Sequence, residues 1–187
     1  MKEPFFEPIF RKLRIGKIIK YIPAGSIICD MGCGPVGEFL FGIKDHIKKG
    51  YGFDNLTNDS NNTNIILKKI NIATDEIPLA DSTVDVVTSL AVLEHLDNPL
   101  FMLKESYRIL QPGGSLLLTT PAPVAKPILE FLAYRLHLIS KREIDEHKHY
   151  FNREELRDIF IKAGFQDNNI KCSVFEFGFN NFVIAQK

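Results

Sequence analysis

The residues near the front of the chain have the types and spacing of a nucleotide-binding edge. Asp30 closes an apolar run (Ile27, Ile28, Cys29), and Gly32, Gly34 and Gly37 follow it as G-x-G-x-x-G. Glycine lets the main chain turn sharply and lets a ligand approach it with no Cβ in the way. Asp54 lies 20 residues beyond Gly34, about the distance at which such an edge places a carboxylate on ribose hydroxyls. The glycine spacing alone fits more than one nucleotide. The acid two residues before the first glycine narrows the choice.

A second set of side chains could bind or deprotonate a substrate. His95 follows the strand-like run Val84 to Ser89; it either hydrogen-bonds locally at a helix start or faces the reacting group. His147, His149 and Tyr150 stand together, and the two histidines at i, i+2 share one side of an extended segment. These three are candidates to bind hydroxyls, take a proton or hold a metal, against a surface or structural role, and no metal site is assigned. His137, inside an apolar stretch, reads as a packing residue. Cys29 and Cys33, with no second ligand pair nearby, read as small buried residues flanking the turn.

These residues need a scaffold, and the hydrophobic pattern supplies one. An amphipathic helix begins near Phe10 and stops at Pro23-Ala24-Gly25; it either covers the sheet or forms a flap over the glycine edge. Strands are expected at Ile27–Cys29, Tyr51–Phe53, within Ile65–Ile72, at Val84–Ser89 and at Ser115–Thr120, with two antiparallel terminal strands within Ile170–Phe177 and Asn181–Ala185. Helices are expected at Glu38–Lys48, Pro99–Leu110 and Arg153–Ala163, the last capped by Asn152. The polar tract Leu56–Asn64 reads as a loop, and Pro112-Gly113-Gly114 as a breaker before the fifth strand. Pro127–Ile139 reads as an apolar helical excursion within a substrate-side insertion at 122–150. The alternation predicts an α/β fold, a three-layer doubly wound Rossmann-like sheet of about seven strands, mostly parallel with an antiparallel C-terminal strand. The 187 residues read as one domain, with an N-terminal helix in 1–24.

Composition sets limits on partners. Lys plus Arg and Asp plus Glu each number 23, so the formal net charge is zero, which argues against polymeric nucleic acid as a partner. The three cysteines do not make a disulfide framework. The N-terminus carries acids and prolines where a leader needs an apolar run, and no stretch reaches the roughly 20 apolar residues of a membrane span. A cytoplasmic protein, monomer or homodimer, is expected.

Several separated stretches resemble one family, the class I S-adenosylmethionine-dependent methyltransferases, in their small-molecule (type 11-like) branch. C-D-M-G-C-G-P-V-G at 29–37 resembles the cofactor motif, and Y-G-F-D at 51–54 the ribose-binding motif. N-I-A-T-D-E-I-P-L-A-D-S-T-V-D-V-V-T-S-L-A-V-L-E-H-L at 71–96 is similar to the loop, fourth strand and following turn. L-K-E-S-Y-R-I-L-Q-P-G-G-S-L-L-L-T-T-P at 103–121 and H-Y-F-N-R-E-E-L-R-D-I-F-I-K-A-G-F at 149–165 continue the likeness.

The resemblance implies S-adenosyl-L-methionine as cofactor. Asp30 and the main chain at Gly32, Cys33 and Gly34 would hold its methionine portion. Asp54 would bind the ribose, with Asn55 and Leu56 beside the adenine. Asn71, where the family often has Asp, and Ile72 would meet the adenine edge, and Ser89 and Leu90 would flank the methyl. It implies in-line methyl transfer to a small-molecule, lipid-linked or sugar-linked acceptor, with His95, His147, His149 and Tyr150 as acceptor-side candidates. A nicotinamide-dependent oxidoreductase and a non-catalytic cofactor-binding partner subunit are the alternatives.

Overall fold

A computed structural model describes residues 7–187; the leader reading of the first six residues lies outside them. Eight strands among the described residues form one sheet: β1 (Ile27–Met31), β2 (Lys49–Asp54), β3 (Ser60–Asn62), β4 (Ile65–Lys69), β5 (Val84–Leu90), β6 (Leu110–Pro121), β7 (Ile170–Phe175) and β8 (Asn180–Gln186). Their order is β3-β4-β2-β1-β5-β6-β8-β7. The five strands from β4 to β6 run parallel. β3 is antiparallel to β4, and β8 is antiparallel to both β6 and β7. Six α-helices among the described residues accompany the sheet: α1 (Glu7–Ile18), α2 (Glu38–Gly42), α3 (Pro99–Ile109), α4 (Lys126–Tyr134), α5 (Lys141–Asp145) and α6 (Arg153–Ala163).

The period-two alternation of the strands divides the core into two faces. Ile28, Val86, Leu117 and Phe182 pack with Ile18 at the end of α1 and with Phe39 and Leu40 of α2. Their neighbours Cys29, Val87, Leu116, Leu118 and Val183 pack with Met102 and Leu103 of α3 and with Leu156 and Phe160 of α6. Central strands buried on both sides in this way are typical of parallel sheets whose crossover helices cover each face. α6 begins as its sequence predicts: Asn152 Oδ1 accepts from the Glu154 and Glu155 amides, and the Asn152 amide donates to Glu155 Oε2.

Four local expectations are corrected. The tract read as a loop supplies β3, an eighth strand. Its Ser and Asn residues carry no apolar period for a helix, and they pair instead with the outer edge of β4. The helix expected over 38–48 ends at Gly42. Its continuation folds as turns in which the Asn64 amide donates to the Lys44 and Ile47 carbonyls, 2.9 and 3.3 Å, so side-chain bonds replace the next helical ones. The Pro112-Gly113-Gly114 breaker lies inside β6, where the register against β5 shifts between Val84 and Val86. His137 is exposed at φ 54°, in a turn after α4 rather than in a packed helix.

Candidate active site

The glycine edge folds tightly because β1 and β2 hold it from both sides. The Gly32 and Cys33 amides donate to the Phe53 carbonyl at the end of β2, 2.8 and 3.3 Å, while the Gly34 amide donates to Asp54 Oδ2, 2.9 Å. Gly32 (φ 82°) leaves no room for a side chain, since a Cβ there would lie 2.3 Å from Val92 Cγ2. Gly34 (φ 70°) faces open space, with nothing within 4 Å of an added Cβ. Asp30 is buried at 3% exposure, and its Oδ1 accepts from Thr88 Oγ1, 2.6 Å. Burial, with the charge of Asp54 adding to it, raises the Asp30 carboxyl to about 7 against the pull of the Thr88 bond. Burial and the nearby Asp30 likewise hold the Cys33 thiol far above its ordinary range, so it stays protonated.

A cavity of about 390 Å³ opens on this edge, lined by Asp30, Gly32, Cys33, Gly34 and Leu90 and walled on its outer side by Arg11, Arg14 and Ile15 of α1. The Arg11 guanidinium donates to Glu38 at the start of α2, which ties the first helix across the cavity. The two readings of α1 therefore hold for different parts of it: Ile18 is fully buried against the sheet, and the turn around Arg11 and Arg14 lies over the glycine edge.

A second cavity of about 510 Å³ adjoins the first at Leu90, Arg11 and Arg14, which line both. Its walls are mainly apolar, with Ile128, Leu129 and Leu132 of α4 and with Ile139 and Ile144 beyond it. One end is polar, where Glu94, His95 and His147 meet. Glu94 and His95 come from the single turn Leu93–His95 that follows β5; Ala91 just before it has φ 56°. His147 reaches them because the Lys148 amide donates to the Glu94 carbonyl, 2.8 Å.

The predicted residues distribute unevenly over these cavities. Asp30, Gly32, Cys33, Gly34 and Leu90 share the first, and Asp54 joins them through Gly34. Asn55 and Leu56 are exposed beyond the strand end, and the Leu56 amide donates to Asp54 Oδ1, 2.8 Å. Asn71 is exposed and uses its carbonyl oxygen locally, accepting from the Ala73 amide, 3.1 Å; Ile72 is buried in the core. Ser89 is fully buried with its hydroxyl unpaired.

On the acceptor side, the rings of His95 and His147 stand 4.7 Å apart, and His147 Nδ1 meets the Tyr150 hydroxyl at 2.8 Å. Burial and the charge of His95 lower His147 to about 4. Burial, then Glu130, raises Tyr150 to about 12. His147 and His149 line one surface recess with Tyr150 but have different partners. The His147 ring meets His95 and Tyr150, whereas His149 Nε2 lies 3.4 Å from Glu155 and its ring packs on Phe151.

Sequence reasoning missed Glu94 and the two arginines of α1. Glu94 is fully buried, its Oε2 accepting from Thr120 Oγ1 at 2.9 Å and its Oε1 unpaired; burial raises its pKa. The E-H pair at 94–95 was legible, but only the fold shows that the acid turns inward.

These features define a Rossmann-like methyltransferase fold. An S-adenosylmethionine-dependent methyltransferase of Archaeoglobus fulgidus superposes at a TM-score of 0.70 with 20% identity, covering 97% of this chain and 98% of that one. The chain belongs to the methyltransferase-domain family, which it matches over residues 9–169. The sarcosine/dimethylglycine N-methyltransferase of Aphanothece halophytica is 28% identical over 156 residues, 74% of this chain and 54% of that protein. A tRNA U34 carboxymethyltransferase of Desulfotalea psychrophila is 27% identical over 116 residues, 56% of this chain and 36% of that protein. The chain spans about half or less of the length of these curated relatives.

The residues present fit S-adenosylmethionine. An ionised carboxylate offers about four lone-pair positions. Asp54 commits two of them to the Gly34 and Leu56 amides, leaving two for a vicinal diol. The open space at Gly34 is a cradle that any larger residue would fill. Among the described residues no helix is long and apolar enough to cross a membrane.

Proposed function

We propose that the protein transfers the methyl group of S-adenosylmethionine to a small, largely apolar acceptor, free or as the head of a lipid- or sugar-linked molecule. The observation that carries this reading is the meeting of two cavities at Leu90: one bears Asp30 and the glycine edge, and the other is apolar with a polar end. Its 510 Å³ lies within the usual range for small-molecule sites. The balanced charge of the chain and the apolar walls support a small acceptor over an RNA chain, although some relatives are named for tRNA.

When bound, the cofactor supplies a methyl group already activated on a sulfonium. The protein's part is placement. Asp54 holds the ribose, and Asp30 with the main chain of Gly32 and Gly34 holds the methionine end. Leu90 and α1 keep water from the seam. Glu94, His95 and His147 would hold the acceptor's reacting group, and positioning of this kind can supply ~7–11 kcal/mol of barrier reduction. Tyr150 orients His147 through its hydroxyl. Residues 1–187 are read as one methyltransferase domain with 122–150 as its substrate-side insertion. Three free cysteines support a cytoplasmic setting.

The test couples binding to turnover. S-adenosylhomocysteine should bind the purified protein, and pooled small acceptors should then be methylated from the radiolabelled cofactor. His95→Ala should lower kcat by ~10²–10⁴-fold with cofactor affinity kept. Binding without turnover on any acceptor would favour the partner-subunit reading, and tight NAD(H) binding with none of the sulfonium cofactor would favour the oxidoreductase.

A further inference from the structure

We propose that Glu94, His95 and His147 form a binding site for a divalent transition-metal ion at the polar end of the larger cavity, and that this ion binds a hydroxyl of the acceptor. The substrate part of the inference rests on reading that cavity as the acceptor site; the metal part does not.

The geometry points to it in three ways. One ligand atom from each of the three side chains lies within 4.8 Å of the others. Three ligands at ~2.1 Å from a common ion stand ~3.4 Å apart in tetrahedral geometry, so side-chain rotation of about an ångström completes the site. Glu94 is fully buried, and its Oε1 has no hydrogen-bond partner. Buried polar atoms of native proteins are nearly always paired, and a cation satisfies this one. The remaining atoms are already engaged in the manner of outer contacts that orient metal ligands. Glu94 Oε2 accepts from Thr120 Oγ1 at 2.9 Å, and His147 Nδ1 meets the Tyr150 hydroxyl at 2.8 Å, which leaves Nε2 for the ion. The Lys148 amide, bonded to the Glu94 carbonyl, fixes the two ligand segments to one another.

The donor set indicates the kind of ion and acceptor. Two imidazoles and one carboxylate suit Zn²⁺, Fe²⁺, Co²⁺ or Mn²⁺ rather than Mg²⁺ or Ca²⁺, which take oxygen ligands. Three protein ligands leave positions open toward the cavity, where an acceptor oxygen can enter. The step balances without any redox change. The acceptor O–H bond breaks and its proton passes to water. The oxygen lone pair forms the O–CH3 bond, the S–CH3 pair remains on sulfur, and the ion keeps its charge.

The experiment uses the whole chain, free of affinity tags and stripped with a chelator. Co²⁺ alone is titrated by visible absorption, and Zn²⁺, Mn²⁺ and Mg²⁺ by calorimetry; S-adenosylhomocysteine binding is measured on the same samples. The expected result is one equivalent of Co²⁺ or Zn²⁺, bound more tightly than Mn²⁺, with Mg²⁺ weakest. Glu94→Gln and His147→Gln should each weaken Co²⁺ binding by at least ~10–100-fold with the thermal transition retained. Tyr150→Phe should weaken it less. His147 is only partly buried, so its variant keeps the test open if Glu94→Gln does not fold. Failure of the unmodified chain to bind Co²⁺ or Zn²⁺, or binding unchanged in a folded His147→Gln, overturns the proposal. S-adenosylhomocysteine binding in that same protein would leave the methyltransferase reading standing, and its loss with metal binding intact would do the reverse.

Discussion

Asp30 ties the glycine edge to solution pH in a way that one substitution can isolate. Its carboxyl is buried at 3% exposure and raised to about 7, by burial first and by Asp54 second, from an ordinary 3.8. The groups around the same cavity are Asp54 at the end of β2, the Cys33 thiol, Glu38 of α2, and Arg11 and Arg14 of α1. Between pH 3.8 and about 7 the unfolded chain has released this proton and the folded chain has kept it. The unfolded state binds fewer protons in that window, so stability falls as pH rises through it and is level on either side. The full displacement corresponds to about 4 kcal/mol, an order-of-magnitude figure. For a chain of this size that is on the order of 10 °C in Tm.

Asp30→Asn removes the proton while its amide oxygen can still accept from Thr88 Oγ1. Melting curves of both proteins from pH 4 to 8 should show the variant gaining on the parent by about that amount between pH 4 and 7, with no further divergence above. Parallel curves would refute the assignment of this proton to Asp30. The same carboxylate is proposed to hold the cofactor's methionine end, whose ammonium charge would favour its ionised form. Cofactor affinity of the parent should therefore rise as pH climbs toward 7, with proton release on binding, and calorimetry in buffers of different ionisation enthalpy reads that release. In Asp30→Asn it should be absent.

Three further outcomes are expected. Asp54→Ala removes hydrogen bonds from a charged acceptor, worth roughly 1.5–3 kcal/mol each, so S-adenosylhomocysteine affinity should fall ~10²–10⁴-fold; equal affinity in equilibrium dialysis would place the ribose elsewhere. Gly32→Ala puts a Cβ 2.3 Å from Val92 Cγ2 at φ 82° and should cost ~2–4 kcal/mol in denaturant unfolding. Val92→Ala in the same chain should restore the steric share, and no rescue would argue against that contact. Glu38→Gln breaks the partly exposed ion pair to Arg11. Its Tm should move by less than about 4 °C, since such pairs contribute at most ~1 kcal/mol, while S-adenosylhomocysteine dissociates faster in stopped flow. An unchanged off-rate would mean that α1 does not retain the ligand.

The fold was legible wherever burial sets the pattern. β1, β5 and α6 could be read directly because a strand covered on both faces is a continuous apolar run and a capped amphipathic helix announces its own start. β3 escaped because Ser60, Asn61 and Asn62 show no burial pattern; they form a strand only by pairing with the edge of β4. The helix after the glycine edge was overextended because Ile43 and Ile47 keep helical spacing and are buried, while Asn64, a distant residue, holds the chain between them in turns. Asp30, Gly32 and Gly34 could be read for the same reason as the strands: they are local in sequence and sit at a strand end.

The acceptor side was less legible because its geometry comes from contacts far apart in sequence. Spacing placed His147 and His149 together, yet one meets His95 and the other Glu155. Nothing local in the sequence marks Glu94; Thr120, 26 residues on, and the Lys148 amide fix it inward. α1 shows the same limit from the opposite side. Positions 11, 14, 15 and 18 fall on one helical face, and that face is continuous in sequence. Along its length, however, it passes from the glycine cavity to the sheet, so Arg11 and Arg14 line cavities where Ile18 fills core. Periodicity identifies the face of a helix that is turned inward; what lies beneath each turn of it is decided by the strands that end there.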